Sequence, residues 1–176
     1  MKLLFALAAT ALFWTLSAAA ADISEPVILV ARPIGNDQHI GFIVNRPTKI
    51  TLGQLFPQHG PSQKVPDPVY VGGPINAESI FALVQTKKHP GGRSVKLTDD
   101  LFAVIDGNIV DNVIENEANR ARFVAGLVAW RAGELQDEIK RGAWFVLNAD
   151  PAVVMRKPDG LWEEMVKDAE IRANGI

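Results

Sequence analysis

Asn45-Arg46-Pro47 is the segment of this sequence with the most chemistry to offer. A guanidinium presents a planar fork of donors that matches a carboxylate or a phosphate, and the asparagine beside it adds two donors and an acceptor. Pro47 fixes the corner, because it lacks an N–H and keeps Arg46 out of the helical region. A structural use competes: Asn45 can cap loop backbone while Arg46 pairs with Glu134 or Glu138. Gly72-Gly73-Pro74 is the second feature. Without Cβ atoms it permits a tight turn, and its N–H groups can form an anion nest. Close packing of the Arg46 corner is the alternative use. Trp130, at the end of an apolar run, can stack on a ligand, or join Trp144 in clamping the helix between them to a sheet. Glu134 and Glu138 share a helix face, as paired carboxylates or as a solvated stripe. A cleft where Asn45, Arg46, Gly72, Gly73, Trp130 and Glu134 converge would take a small anionic ligand or a protein partner.

Other chemistries have less support. His39, His59 and His89 form no H-E-x-x-H or H-x-H pattern, and two of them fall in proline- or glycine-bearing loops expected to be solvated. With no cysteine in the chain there is no thiol nucleophile or thiolate metal site. No metal and no cofactor is therefore expected. Gly72-Gly73 is not followed by Gly-Lys-Ser/Thr, so it is no phosphate loop. No G-x-S-x-G elbow occurs, and Ser24, Ser62, Ser79 and Ser94 are read as lacking a histidine partner in sequence.

Short runs of alternating or continuous apolar residues must position these groups. Strands are expected at residues 26–31, 40–45, 69–71, 79–85, 95–97, 102–105, 123–130 and 143–147. The second should end at Arg46-Pro47. Gly35-Asn36-Asp37 and Asp106-Gly107-Asn108 read as turns. Helices are expected after Thr51, over 109–119, over 133–141 with Leu135 and Ile139 inward, and from Asp150-Pro151 onward. A last helix should carry Leu161, Trp162, Met165, Val166 and Ala169 on its apolar face. The proline-bearing stretch 57–68 reads as a surface loop. Mixed strands and helices favour an α/β or α+β domain, a single mixed sheet with flanking helices.

The N-terminus has the form of an export signal. Lys2 is followed by an uncharged apolar run from Leu3 to Leu16, then by Ala19-Ala20-Ala21 before Asp22. Small residues at that point suit signal peptidase, and the run is short of the about 20 residues that span a bilayer. The expected organisation is a signal peptide, 1–21, and a single domain, 22–176, in the periplasm or secreted. Anchoring to the inner membrane is the alternative. Removal of Lys2 shifts the net charge from −2 to −3, which gives no general attraction to nucleic acid or to an anionic membrane.

Three segments carry a family resemblance: Gly41-Phe42-Ile43-Val44-Asn45-Arg46-Pro47, Val71-Gly72-Gly73-Pro74-Ile75, and the stretch from Gly126 through Trp130 and Gly133-Glu134-Leu135-Gln136 to Trp144. In this order the set is similar to the YqgE/AlgH family. The resemblance implies a compact mixed sheet with flanking helices. It implies no particular reaction, since the family has no common one, although one branch is named as a transcriptional regulator of alginate production. The chain departs from the family pattern in its export signal, in Glu134-Leu135-Gln136 where Gln-Leu-Glu is usual, in Ala129 before Trp130, and in lacking the usual histidine near Ile34-Gly35-Asn36. The functional expectation is an exported, non-enzymatic binding or scaffolding module. The alternatives are a transcriptional regulator, or a hydrolase or transferase in which Arg46 holds an anionic substrate.

Overall fold

A computed structural model describes residues 2–6 and 27–173, with side-chain surroundings for 28–171. The alanine site at 19–21 lies outside the described residues. Among the described residues, ten strands form one curled, mostly antiparallel sheet. They are β1 (Lys2–Ala6), β2 (Val27–Gly35), β3 (Gln38–Ile43), β4 (Pro47–Thr51), β5 (Pro68–Val71), β6 (Ile75–Gln85), β7 (Ser94–Lys96), β8 (Leu101–Val104), β9 (Ala121–Trp130) and β10 (Trp144–Asn148). The main order is β10-β1-β2-β3-β9-β6-β8-β7, with β5 pairing β4 and β9. The helices are α1 (Leu52–Leu55), α2 (Gly107–Asn116), α3 (Glu134–Lys140), α4 (Pro151–Met155) and α5 (Leu161–Ala173). The expected class, a mixed sheet with flanking helices, is the one found.

Strand alternation divides the core between two faces. On one face Ile28, Val30, Phe42, Val44, Phe81, Leu83 and Val124 pack beneath Val153, Val154, Leu161, Met165 and Ala169 of α4 and α5. On the other, Leu29, Ala31, Ile43 and Trp130 meet Leu135 of α3. Further along that side, Ala82, Val84, Val104 and Phe123 meet Val110, Val113 and Ile114 of α2. Cover on both faces explains why β2, β3 and β9 read as nearly continuous apolar runs.

Local chemistry sets the boundaries. Thr51 and Gln54 form a capping box on α1, each side chain meeting the other's backbone N–H. Asn36 and Asp37 both have positive φ, 48° and 60°, as a two-residue hairpin turn between β2 and β3 demands. Two expectations need correction and one needs an addition. Asp106-Gly107-Asn108 is no hairpin turn: Asp106 caps α2 by accepting from the Asn108 N–H. The second strand does stop short of Arg46-Pro47, at Ile43, and a further strand, β4, starts at Pro47 and pairs with β5. Stretch 57–68 is not wholly surface, since Ser62 and Val65 are buried within it.

β9 organises the sheet. Along one side it pairs with β6. On the other, Val124 and Ala125 pair in parallel with β5, and Val128 to Trp130 pair antiparallel with β3. The change of partner falls at Gly126, whose φ is +75°. Arg122 on this strand is only 7 % exposed. It donates to the carbonyls of Val44 at 2.7 Å and Arg156 at 2.6 Å and lies 4.1 Å over the Tyr70 ring. Burial pushes its pKa below the usual arginine value, with Tyr70 and Asp67 opposing that shift. Among the described residues, no helix is long and apolar enough to cross a membrane.

Candidate functional site

The structure sets the Asn45-Arg46 corner against Gly72. Val71 N–H donates to the Arg46 carbonyl at 2.8 Å, and Ile43 N–H donates to the Gly72 carbonyl at 2.9 Å. Asn45 is a strap: its Oδ1 accepts from the Ile28 N–H at 2.8 Å, tying the end of β3 to β2. Gly72 N–H donates to the Ala125 carbonyl at 2.7 Å, so that donor is committed to the sheet rather than to an anion. The glycines here allow backbone to touch backbone. A Cβ on Gly73 would lie 2.3 Å from the Leu127 carbonyl oxygen, and one on Gly126 would lie 2.1 Å from that of Gly73. Separations that short cannot be relieved by rotating a side chain.

Trp130 and Glu134 are elsewhere. Trp130 is four residues beyond Gly126, about 13 Å along a strand that rises about 3.3 Å per residue. It pairs with His39 and is buried. Its ring covers Gly41, where an added Cβ would meet it at 3.0 Å. Trp130 and Trp144 stand edge to face, 6.2 Å between centroids. Both indole N–H groups donate to one oxygen of Glu138, at 3.0 Å and 2.7 Å. The pair holds α3 onto the sheet. Glu134 accepts from the Arg131 N–H at 2.9 Å, at the entry to that helix. The six candidates thus divide into Asn45, Arg46, Gly72 and Gly73 at one corner, and Trp130 with Glu134 at the far end of β9.

A constellation the sequence reading passed over lies in the 57–68 stretch. Ser62 Oγ and His59 Nδ1 share a hydrogen bond of 2.7 Å, and His59 Nε2 is 3.9 Å from Glu115 on α2. Ser62 therefore does have a histidine partner, three residues away, and His59 is half-buried rather than solvated. Serine, imidazole and carboxylate in line suggest nucleophilic chemistry. Ser62 is wholly buried, however, at 0 % exposure, and a nucleophile must reach its substrate. The Ser62–His59 bond closes the 3-10 turn Gly60–Lys64, and Val65 packs it against Val110, Val113 and Ile114 of α2. A cavity of about 290 Å³ beside it is lined by Pro61, Lys64, Val65, Ile114 and Glu115 among others. A second, shallower hollow lies by Lys87, Lys88 and Arg120. Neither touches the six candidate residues. Among the described residues, no three His, Asp or Glu side chains are grouped to hold a metal ion. Arg122 is the buried cation beside the corner that sequence reading missed. Its signal was a charge in phase with the core-facing Val124 in an otherwise apolar strand.

Sheet and corner define a class: a single domain on a curled, largely antiparallel sheet, closed through its middle by glycine backbone contact, with Asn45 and the buried Arg122 bonded to the backbone of other segments. The chain belongs to the AlgH-like family (DUF179), whose model matches residues 18–174. It is 26 % identical over 125 residues to a UPF0301 protein of Desulfotalea psychrophila, covering 69 % of this chain and 65 % of that one. The chain thus spans just under two thirds of that curated relative. A UPF0301 protein of Vibrio cholerae is 28 % identical over 132 residues, covering 69 % and 70 %. Two solved structures share the fold. The AlgH protein from Pseudomonas aeruginosa gives a TM-score of 0.67 at 22 % identity, covering 99 % of this chain and 88 % of that one. A protein from Corynebacterium diphtheriae gives 0.70 at 20 %, covering 95 % and 85 %.

Proposed function

We propose that this AlgH-like protein is exported and acts beyond the cytoplasm as a binding or scaffolding module. One observation carries the non-catalytic part. Polar groups at and beside the candidate residues are used on the scaffold: Asn45 holds Ile28, Gly72 holds Ala125, and Glu138 holds two indoles. Surface properties support contact with another macromolecule. Ile50, Leu55 and Phe56 are all more than 40 % exposed, three large apolar side chains within seven residues around β4 and α1. Export is supported by Lys2, the apolar run and the alanines before Asp22. The family match, which starts at residue 18, leaves the whole of that run outside it.

The regulator reading has less behind it, because a net charge of −2 gives no attraction to DNA. The hydrolase reading has the Ser62–His59–Glu115 line in its favour and the burial of Ser62 against it. Fractionation of cells with mass measurement of the purified chain tests the proposal. The expected product begins at Asp22 and is absent from the cytosol. Cytosolic protein retaining Met1 refutes export. Ester or phosphate hydrolysis abolished by Arg46→Ala or Ser62→Ala refutes the non-catalytic reading.

A further inference from the structure

We infer that the space between β2 and β10 is a strand-acceptor slot, which in the exported protein takes an extended apolar segment of a partner polypeptide. The inference rests on the export reading and concerns what that reading does to the sheet. β1 pairs with β2 in the register Lys2↔Ala31 to Ala6↔Val27 and with β10 in the register Lys2↔Asn148 to Ala6↔Trp144. Both pairings are antiparallel, so β2 and β10 run parallel to each other with one strand between them. Lys2 to Ala6 are also the charged start and first apolar residues of the export signal. One segment cannot serve both ends. Cleavage after Ala21 takes the middle strand away and leaves two facing rows of backbone donors and acceptors, about 10 Å apart for strands spaced about 4.8 Å.

The slot specifies its occupant. Direct closure would need a parallel pair between strands set to receive an antiparallel one. Polar segments are disfavoured because the slot is apolar on both faces. Opposite one set of alternate positions are Ile28 and Val30 of β2 with Phe145 and Leu147 of β10, in the core under α4 and α5. Opposite the other set are Leu29 and Val146, in the core under α3. Cross-strand neighbours share a face, so an incoming segment needs about four consecutive apolar or small residues, with a polar residue tolerated at the end opposite Asn148, running antiparallel to both walls. Recognition of this kind takes affinity from main-chain bonds and selectivity from alternate side chains. A free edge of this length is a site of association by its nature.

The test uses protein purified after native processing, with its N-terminus fixed by mass. The probe is a synthetic peptide carrying Lys-Leu-Leu-Phe-Ala with a charged solubilising tail. Hydrogen exchange is followed in 27–35 and 144–148, with β6 and β8 reporting the rest of the fold. The peptide should bind and slow exchange in both walls at least tenfold, and a Leu4→Pro peptide, which lacks the central donor, should not. If the processed protein lacks protection in β6 and β8, restoration of that protection by the peptide supports the slot and failure to restore it overturns it. Walls already protected in a monomer, with no peptide binding, mean that the sheet has closed on itself and overturn the inference while export stands. Protection that appears with dimerisation makes a second copy the occupant and overturns the partner assignment. A chain that keeps Met1 overturns export by mass and the slot with it, since β1 then fills the space permanently.

Discussion

Replacing Glu138 tests the logic of the tryptophan clamp. Its Oε2 accepts from both Trp130 and Trp144. In Glu138→Ala the Trp130 N–H is left buried without its acceptor, at a cost of about 1–3 kcal/mol. Trp144 is half-buried, so water can take over its bond and the loss there is smaller, about 0.5–1.5 kcal/mol. Together the change should cost about 2–4 kcal/mol. With a urea slope of about 2 kcal/mol per molar, the middle of the usual range, the unfolding midpoint should fall by about 1–2 M. Glu138→Gln keeps an acceptor for both indoles and loses only charge assistance, which roughly doubles such bonds, so it should fall between wild type and alanine. Urea titration followed by far-UV circular dichroism measures both, and the absence of cysteine keeps redox chemistry out of the curves. The near-UV signal of the edge-to-face pair should weaken in Glu138→Ala. An alanine midpoint within about 0.3 M of wild type, at slopes of this size, would refute the claim that this carboxylate fastens α3.

Two further outcomes follow from the geometry. Gly126→Ala should yield no soluble folded protein, because its Cβ would sit 2.1 Å from the Gly73 carbonyl at a φ of +75°; Gly60→Ala, facing open space, should match wild type in soluble yield and circular dichroism. The Arg156–Glu164 pair, two parallel bonds of 2.8 Å and 2.5 Å, holds the Glu164 pKa below its usual 4.5. A carboxylate with a lowered folded-state pKa adds stability above its ordinary value and loses it as pH falls through the lowered one. The stability gap between wild type and Glu164→Gln should therefore be present at pH 7, shrink below pH 4.5, and narrow with added salt at neutral pH. A gap unchanged at low pH would show that the pair does not titrate as its geometry requires.

What could be read from the sequence follows from how local each feature is. The runs that became β2, β3, β8, β9 and β10 are nearly continuous apolar stretches, so hydrophobic pattern was sufficient to find them. Thr51 and Asp150 announced α1 and α4 through capping chemistry. β4 escaped because Pro-Thr-Lys-Ile-Thr has no apolar period, and its strand character comes from pairing with β5. Asp106 was misplaced because the same side-chain-to-backbone bond serves a turn and a helix cap. At the candidate site, the contact of the Asn45-Arg46 corner with Gly72 was legible from glycine and proline chemistry. The distance of Trp130 from that corner was not, since it depends on which β9 residues face β5 and which face β3. The Ser62–His59 pair was only three residues apart in sequence, yet its meaning lies in contact with α2 and in the burial of Ser62, which composition cannot report.

The position of β9 bears on synthesis. Three strands that appear far earlier in translation, β3, β5 and β6, can reach their neighbour only after residues 121–130 have left the ribosome. Until then the growing chain has hairpins but no closed sheet, and pairings between distant segments form slowly. Late arrival of its organising strand gives this polypeptide a built-in interval of looseness, the condition in which a nascent chain can still be threaded through a narrow channel.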